Sequence, residues 1–207
     1  MRTVKHFIWQ IVPDSTPLFK KKCSRCKSVN YFYCSDRFRM NSQKRYTDVW
    51  LIYRCEKCDN THYVTILSRT RPELIDRDLY DGFMINDERM AWRYAFDMET
   101  MRKNNIEADH SRIEYEIRGE VAGLKDMAGM VEDVIEIRIG TDFDLELKLT
   151  TLIRRCFDIS LNGLDYMLCA GVLSVLPSVG MKKARVRDGI RILIYRDRLR
   201  EYMRARD

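Results

Sequence analysis

The sequence predicts an α+β protein, and two observations lead to this prediction. Near the N-terminus, two matched cysteine pairs enclose a stretch rich in aromatic and β-branched residues, which favours strands. Further along, segments of helical periodicity and of strand-like alternation follow one another. We expect three segments: a β-rich domain at 1–70, a mixed helix and strand segment at 71–141, and a helix-helix-β unit with a basic helical tail at 142–207.

The cysteine pairs have the spacing of a tetrahedral zinc site. A Cys-x-x-Cys turn directs two thiolates at one centre, and a second such turn completes a four-sulfur shell. The 28 residues between the pairs exceed the usual finger spacing and suit a zinc ribbon, in which a long β-hairpin carries one pair at each end. We therefore expect one structural Zn²⁺ per chain, bound by Cys23, Cys26, Cys55 and Cys58.

Other roles for these cysteines need conditions that the sequence does not favour. Disulfides would need an oxidising compartment, and the first residues contain no apolar run of signal-peptide length. A redox Cys-x-x-Cys usually occurs singly, where a strand meets a helix. Cys34 and His62 are close enough in sequence to replace a ligand, although ordinary strand positions explain both. Cys156 and Cys169 lie among apolar residues, where free buried cysteine is the expected state.

The first segment is predicted to be mostly β, with Pro13 ending its first strand and Pro72 opening a helix beyond it. Glu73 is well placed near the N-terminus of that helix. The predicted strands are Val4–Val12, the hairpin arms Asn30–Asp36 and Val49–Arg54, and Thr61–Leu67.

The middle segment contains one predicted helix, capped by Asn86 and ending near Asn104. Its apolar residues recur at helical spacing, which is typical of a core-facing stripe. They are Met90, Tyr94, Met98 and Met101. Arg112–Arg118 and Val134–Ile139 alternate apolar and charged residues, as half-buried strands do.

The last segment is predicted to begin with an amphipathic helix at Asp142–Arg155. A second helix starts at Ser160, a good N-cap, and ends at Gly171. A strand follows at Val172–Val175. A hairpin is then expected around Asp188-Gly189, with arms at Ala184–Arg187 and Ile190–Ile194.

This arrangement resembles the S4 RNA-binding domain over roughly the last 50 residues. Met167–Val175 is similar to that family's passage from its second helix through glycine to a valine-rich strand, and Val186–Ile194 is similar to its terminal strand. The resemblance implies RNA binding. However, the arginines that the family carries on its second helix are replaced by Leu161, Asn162, Asp165 and Tyr166. RNA contact would then fall to Arg154, Arg155, Lys182, Lys183, Arg185 and Arg187. The alternative is a small α+β unit that has kept the scaffold and lost the ligand.

Over its whole length, the chain also resembles the bacterial domain-of-unknown-function family 1062. The resemblance rests on Val4–Trp9, the two cysteine pairs, Asp48–Tyr53 and Asn86–Asp97. It implies a soluble bacterial protein and brings no activity with it.

The net charge of +6 is unevenly distributed. Residues 1–70 carry 14 Lys/Arg against 5 Asp/Glu, residues 71–180 carry 13 against 22, and residues 181–207 carry 10 against 4. Two basic ends therefore flank an acidic middle. Basic segments favour a polyanion, most simply nucleic acid, although surface solvation or internal neutralisation by the acidic middle explains the pattern equally well.

These patterns predict a non-catalytic nucleic-acid-binding protein, with RNA preferred and a ribosome or other ribonucleoprotein as a possible setting. No Gly-rich phosphate loop, nucleophile elbow or His-Glu-x-x-His motif occurs. No apolar stretch approaches a membrane span, and we expect a cytoplasmic location. Phosphate contacts in the first segment are assigned to Lys20, Lys21, Lys22, Arg25, Lys27, Arg37, Arg39, Lys44 and Arg45. Nearby aromatic residues are candidates for base stacking, and they are Tyr31, Phe32, Tyr33 and Tyr46. The alternative is a zinc-stabilised module that docks on a larger complex without touching nucleic acid.

Overall fold

Helices and strands occur in similar amounts, 30% and 36%, which confirms the predicted α+β class. The computed structural model describes residues 2–43, 45–178, 180–181 and 183–205. In chain order, the strands are β1 (Val4–Pro13), β2 (Leu18–Lys22), β3 (Val29–Gln43), β4 (Tyr46–Cys55), β5 (Thr61–Thr70), β6 (Ala108–Asp109), β7 (Tyr115–Arg118), β8 (Val134–Gly140), β9 (Leu173–Leu176) and β10 (Arg191–Tyr195). The helices are α1 (Arg77–Ile85), α2 (Glu88–Phe96), α3 (Met98–Lys103), α4 (Leu124–Gly129), α5 (Leu149–Phe157), α6 (Leu161–Cys169) and α7 (Arg196–Arg204).

The chain forms two compact units. Pro13–Glu114 form one, here called the cysteine unit, and Met1–Val12 together with Tyr115–Asp207 form the other, here called the composite unit. These boundaries differ from the predicted segments at 1–70, 71–141 and 142–207. The reason is pairing at long range: β1 lies in parallel beside β8, so the first strand belongs with the second half of the chain.

The cysteine unit is built on one antiparallel sheet with the strand order β5-β4-β3-β2-β6. Its centre is the predicted long hairpin, since β3 pairs with β4 from Phe32 opposite Cys55 to Gln43 opposite Tyr46. One cysteine pair precedes β3 and the other begins at the last residue of β4. The hairpin that was expected between the two pairs is therefore confirmed.

One face of this sheet forms the core of the cysteine unit. Alternate residues point inward, as the period of two in a strand requires. Helices α1 to α3 cover this face with apolar side chains. The buried residues from strands and helices are Phe19, Phe32, Cys34, Phe38, Val49, Leu51, Tyr53, Val64, Phe83, Ala91, Ala95 and Met101.

The single helix predicted from Asn86 to Asn104 is wrong, because aspartates divide it. Asn86 adopts a left-handed conformation (φ 56°) and ends α1 rather than capping the next helix. Asp87 caps α2, and Asp97 ends α2 and caps α3. The Asp97 carboxylate accepts hydrogen bonds from the backbone of Glu99 and Thr100, which stabilises a new helix start. Pro72 opens a 3₁₀ turn, Pro72–Leu74, and the following helix starts at Arg77.

The composite unit has a mixed sheet with the order β7-β1-β8-β10-β9. Its central strand β8 is apolar at Val134, Ile135, Ile137 and Ile139, all of which are buried. Helices α5, α6 and α7 contribute further buried residues to this unit. They are Leu149, Leu152, Ile153, Leu164, Met167 and Leu199.

The predicted C-terminal hairpin is absent from the described residues, because β10 pairs with β8 and β9 instead. The proposed partner arm, Ala184–Arg187, lies beside the segment that precedes α5: the Val186 N–H donates to the Leu147 carbonyl at 2.8 Å. That contact also explains why α5 starts at Leu149 and not at Asp142. The predicted start of α6 at Ser160 is confirmed, and the basic tail forms α7.

Candidate metal centre and surrounding basic surface

Each cysteine pair lies in a tight turn, and the two turns have the same backbone geometry. The Lys27 N–H donates to the Cys23 carbonyl, and the Asp59 N–H donates to the Cys55 carbonyl, both at 2.9 Å. Lys27 and Asp59 directly follow the second cysteine of their pairs, and both are left-handed, with φ of 59° and 56°. This local repeat turns both cysteines of each pair toward one point.

The four sulfur atoms meet at that point. All lie within 4.8 Å of one another, with Cys23 Sγ 3.6 Å from Cys58 Sγ and Cys26 Sγ 4.0 Å from Cys55 Sγ. A tetrahedral ion with metal–sulfur bonds of about 2.3 Å separates its ligands by about 3.8 Å. A disulfide needs about 2.05 Å, and all four cysteines are free. This arrangement can hold a metal ion.

Proton affinities differ across the cluster. The pKa of the Cys23 thiol is lowered to about 6. The main cause is the backbone N–H of Cys26, which donates a hydrogen bond to Cys23 Sγ at 3.4 Å. The pKa of Cys26 is raised to about 12, mainly by its hydrogen bond with Cys58 and by burial. One thiolate therefore forms readily, whereas further thiolates crowd negative charge and need a cation.

Polar contacts join the two turns. The Arg25 guanidinium donates to the Cys58 carbonyl at 3.3 Å. The Asn60 amide donates to Ser24 Oγ at 3.1 Å. These two hydrogen bonds join the turns without using the sulfur atoms.

The remaining cysteines and His62 lie outside the four-sulfur cluster. Cys34 is buried in the core of the cysteine unit, and burial raises the pKa of its thiol. The His62 ring packs edge-on against Phe19 and Phe32, and its Nε2 lies 3.2 Å from Lys21 Nζ. Cys156 is half-buried, whereas Cys169 is exposed, so the expectation that both are buried is wrong for Cys169.

The predicted basic residues of the cysteine unit are exposed and extend from β2 and the first cysteine turn along the β3–β4 hairpin. Lys20 lies over the Tyr31 ring, and Arg39 donates to the Tyr63 hydroxyl at 2.9 Å. The exposed members are Lys20, Lys21, Lys22, Arg25, Lys27, Arg37, Arg39 and Arg45. Lys44, and Lys182 of the composite unit, lie outside the described residues.

The predicted basic residues of the composite unit are largely engaged in contacts within that unit. Arg185 pairs with Glu146 at 2.9 Å, and Arg187 pairs with Asp144 at 3.6 Å. Arg187 also donates to the Leu145 carbonyl.

Two further candidates of this unit lie on α5. Arg154 donates to the Ile159 carbonyl and Arg155 to the Tyr115 carbonyl, both at 3.4 Å. Lys183 is exposed.

The aromatic candidates divide between the core and the surface. Phe32 is buried and stacks on Phe19, with ring centroids 5.4 Å apart, so it cannot meet a ligand. Tyr31, Tyr33 and Tyr46 keep exposed area. The Arg112 guanidinium covers the Tyr31 ring at 4.1 Å.

The sequence analysis missed Trp50, Arg54 and Tyr63, which lie on the face of the sheet opposite the core. The alternation of buried and accessible residues along β4 could have identified Trp50 and Arg54. Leu51 and Tyr53 are fully buried, so Trp50, Ile52 and Arg54 must point the other way.

Comparison with known protein families assigns the chain to one of them. The model of the family "Protein of unknown function (DUF1062)" matches residues 40–178, and the chain belongs to this family. Neither the curated proteins nor the solved structures contain a significant match. Among the described residues, no helix has the length and apolar character to cross a membrane.

Proposed function

We propose that this protein binds nucleic acid without catalysing a reaction, and that it prefers RNA to DNA. The observation that carries the proposal is the concentration of exposed basic side chains beside the four-cysteine centre. Lys22 and Lys27 flank the first cysteine pair, Arg25 lies between its two cysteines, and Lys20 and Lys21 precede them on β2. Basic groups gathered on one rigid support bind phosphates and release their counterions.

In this proposal the ion is Zn²⁺ and its role is structural. Four thiolates at tetrahedral spacing are the usual donor set of a structural zinc site. Four sulfur ligands fill the coordination shell, which leaves no position for the water that a catalytic zinc site activates. The ion would hold the ends of β3 and β4 together and thereby position the lysines and arginines nearby.

The RNA preference rests on the S4 resemblance of the C-terminal region, where α5 and α6 precede β9 in the expected order. In the composite unit, Arg154, Arg155 and Lys183 would supply a second contact. The ion pairs of Arg185 and Arg187 make these two residues poorer candidates. Ribosomal or transfer RNA, alone or in a ribonucleoprotein, is the proposed ligand class.

A second candidate function is docking on another protein. Exposed apolar side chains before α1 and at its C-terminal end favour it: Leu74 lies in the 3₁₀ turn that precedes α1, and Met84 and Ile85 are the last two residues of α1. In this case the metal centre would stabilise the docking module, and RNA would not be needed.

Salt dependence separates the two functions. We expect the intact protein to bind RNA at low salt, with an affinity that falls on a log–log plot with a slope of about −4 for six phosphate contacts to a single strand. The measurement is a titration of labelled RNA at several salt concentrations. RNA binding that is undetectable at low salt would overturn the proposal and leave protein docking.

A further inference from the structure

The sheet of the cysteine unit has a second face that carries both aromatic rings and arginines. This open face is defined by Tyr33, Arg37, Arg39, Trp50, Ile52, Arg54 and Tyr63. The three helices of the unit pack against the opposite face. Arg37, Arg39 and Arg54 are exposed, and Tyr63 keeps 40% of its surface accessible.

Strand register arranges these side chains in rows across β3, β4 and β5. The three rows are Tyr33 with Arg54 and Thr61, Arg37 with Ile52 and Tyr63, and Arg39 with Trp50 and Thr65. Each row contains one arginine and one aromatic ring. A cation and a stacking surface are thus repeated three times along the face.

Contacts between neighbouring rows, and one with the second cysteine turn, keep the rings in place. The Arg39 guanidinium lies 5.3 Å from the centroid of Tyr63 and donates to its hydroxyl. Trp50 meets Tyr63 edge to face, with ring centroids 6.3 Å apart. Tyr33 donates from its hydroxyl to Asp59, which lies in the second cysteine turn. The open face is therefore connected to the metal centre through Tyr33.

We infer that the open face binds unpaired bases of a single-stranded nucleic acid, one ring per base, with the arginines on the phosphates. This inference rests on the proposed function and specifies that the nucleic acid is single-stranded. Rings stack on bases of any sequence, and only unpaired bases expose their faces. Charge complementarity with the arginines selects a polyanion.

The spacing of the rows favours a single strand over a duplex. Neighbouring rows are two residues apart along β4, which is about 6.7 Å. Consecutive bases in a helical strand rise by about 3.4 Å. Bases bound to neighbouring rows are therefore too far apart to stack on each other. A duplex keeps its bases stacked, so it cannot bind in this way. A duplex would contact the arginines alone.

The test compares an oligo-uridine of about 12 nucleotides with the same strand annealed to oligo-adenosine. We expect the single strand to bind at least about tenfold more tightly and to quench the fluorescence of Trp50. Trp50→Phe should abolish that quenching, since Trp9 is fully buried and Trp92 lies on α2.

Variants of Tyr63 test stacking directly. Tyr63→Thr removes the ring, places a strand-favouring β-branched residue in β5 and should weaken single-strand binding about tenfold, with the salt slope unchanged because no charge is lost. Tyr63→Phe retains the ring and should bind within about twofold. The matched control is Tyr166→Leu, which removes a tyrosine that is 56% exposed on α6 of the other unit. It should leave binding unchanged.

The outcomes distinguish this inference from the function on which it rests. Equal binding of strand and duplex, no quenching by either, or full binding by Tyr63→Thr would overturn the single-strand inference and leave the nucleic-acid function standing. Absence of binding to both ligands at low salt would remove the function itself. If Tyr63→Thr fails to fold, the quenching experiment on the unaltered protein decides.

Discussion

At the scale of single residues, His62 shows how packing sets a charge state. Its ring lies against Phe19 and Phe32, with centroids 5.5 and 5.9 Å away. Burial, followed by the charge of Lys21, lowers the pKa of His62 to about 4. His62 is therefore neutral at physiological pH, and its Nε2 accepts a hydrogen bond from Lys21.

This packing makes the stability of the cysteine unit depend on pH. The folded pKa of His62 is below the unfolded value of about 6.5, so the unfolded chain binds the additional proton. The stabilisation is present above about pH 6.5 and is lost as the pH falls toward 4. After allowance for solvent screening of this half-buried ring, we expect a loss of about 1–2 kcal/mol in the free energy of unfolding.

The measurement is denaturant unfolding at several pH values, with His62→Gln as the reference. Protonation of the cysteines affects both proteins, so the difference between their pH profiles isolates the histidine. Identical slopes between pH 6.5 and 4 would show that His62 does not titrate in this way.

At the scale of secondary structure, capping residues decide where the helices divide. The run from Glu88 to Lys103 has helical periodicity throughout, yet it forms α2 and α3 with Asp97 between them. The Asp97 carboxylate accepts from the Glu99 N–H at 3.0 Å and from the Thr100 N–H at 3.3 Å. These bonds satisfy donors that a helix start leaves unpaired.

Replacement of this cap should destabilise the cysteine unit. For Asp97→Ala we expect the free energy of unfolding to fall by about 1 kcal/mol, because two backbone N–H groups lose their acceptor. Asp97→Asn should remain within about 0.5 kcal/mol of the unaltered protein, since asparagine caps equally well. Urea unfolding monitored by circular dichroism measures both. An alanine variant as stable as the asparagine variant would contradict the capping role.

At the scale of the whole molecule, the two units differ in what stabilises them. The composite unit has a buried core that includes Trp9, Ile137 and Ile192. The cysteine unit has its own core and, in addition, the four-sulfur centre at the ends of β3 and β4. Metal binding should therefore stabilise one unit far more than the other.

Metal removal tests this difference. We expect about one zinc ion per chain by elemental analysis, and Cys58→Ser should lose it, because three thiolates and a hydroxyl bind the ion less tightly. Cys169→Ser, which changes an exposed free thiol on α6, should retain the metal.

Chelation should then abolish hydrogen-exchange protection of β3 and β4 while β8 and β10 keep theirs. A metal-free protein with full protection in all four strands would show that the centre is not structural.

The four-cysteine cluster could be predicted almost completely from the sequence. A Cys-x-x-Cys turn is local, and its geometry depends on neighbouring residues such as Lys27 and Asp59. The basic surface could be predicted only in part. Arg25 and Lys27 follow from their position beside the cysteines, whereas Trp50 and Tyr63 come together through the register of β4 and β5.

The sequence by itself determined the α+β class, the cysteine turns, the long hairpin and the Ser160 cap of α6, because these depend on residues close together in the chain. Only the tertiary structure decided that β1 joins β8, that β10 lies between β8 and β9, and that Arg185 and Arg187 pair with acidic residues. Partners at long range are chosen by the burial of apolar surface over the whole unit. Several strands of similar pattern compete for each position, and no local signal ranks them.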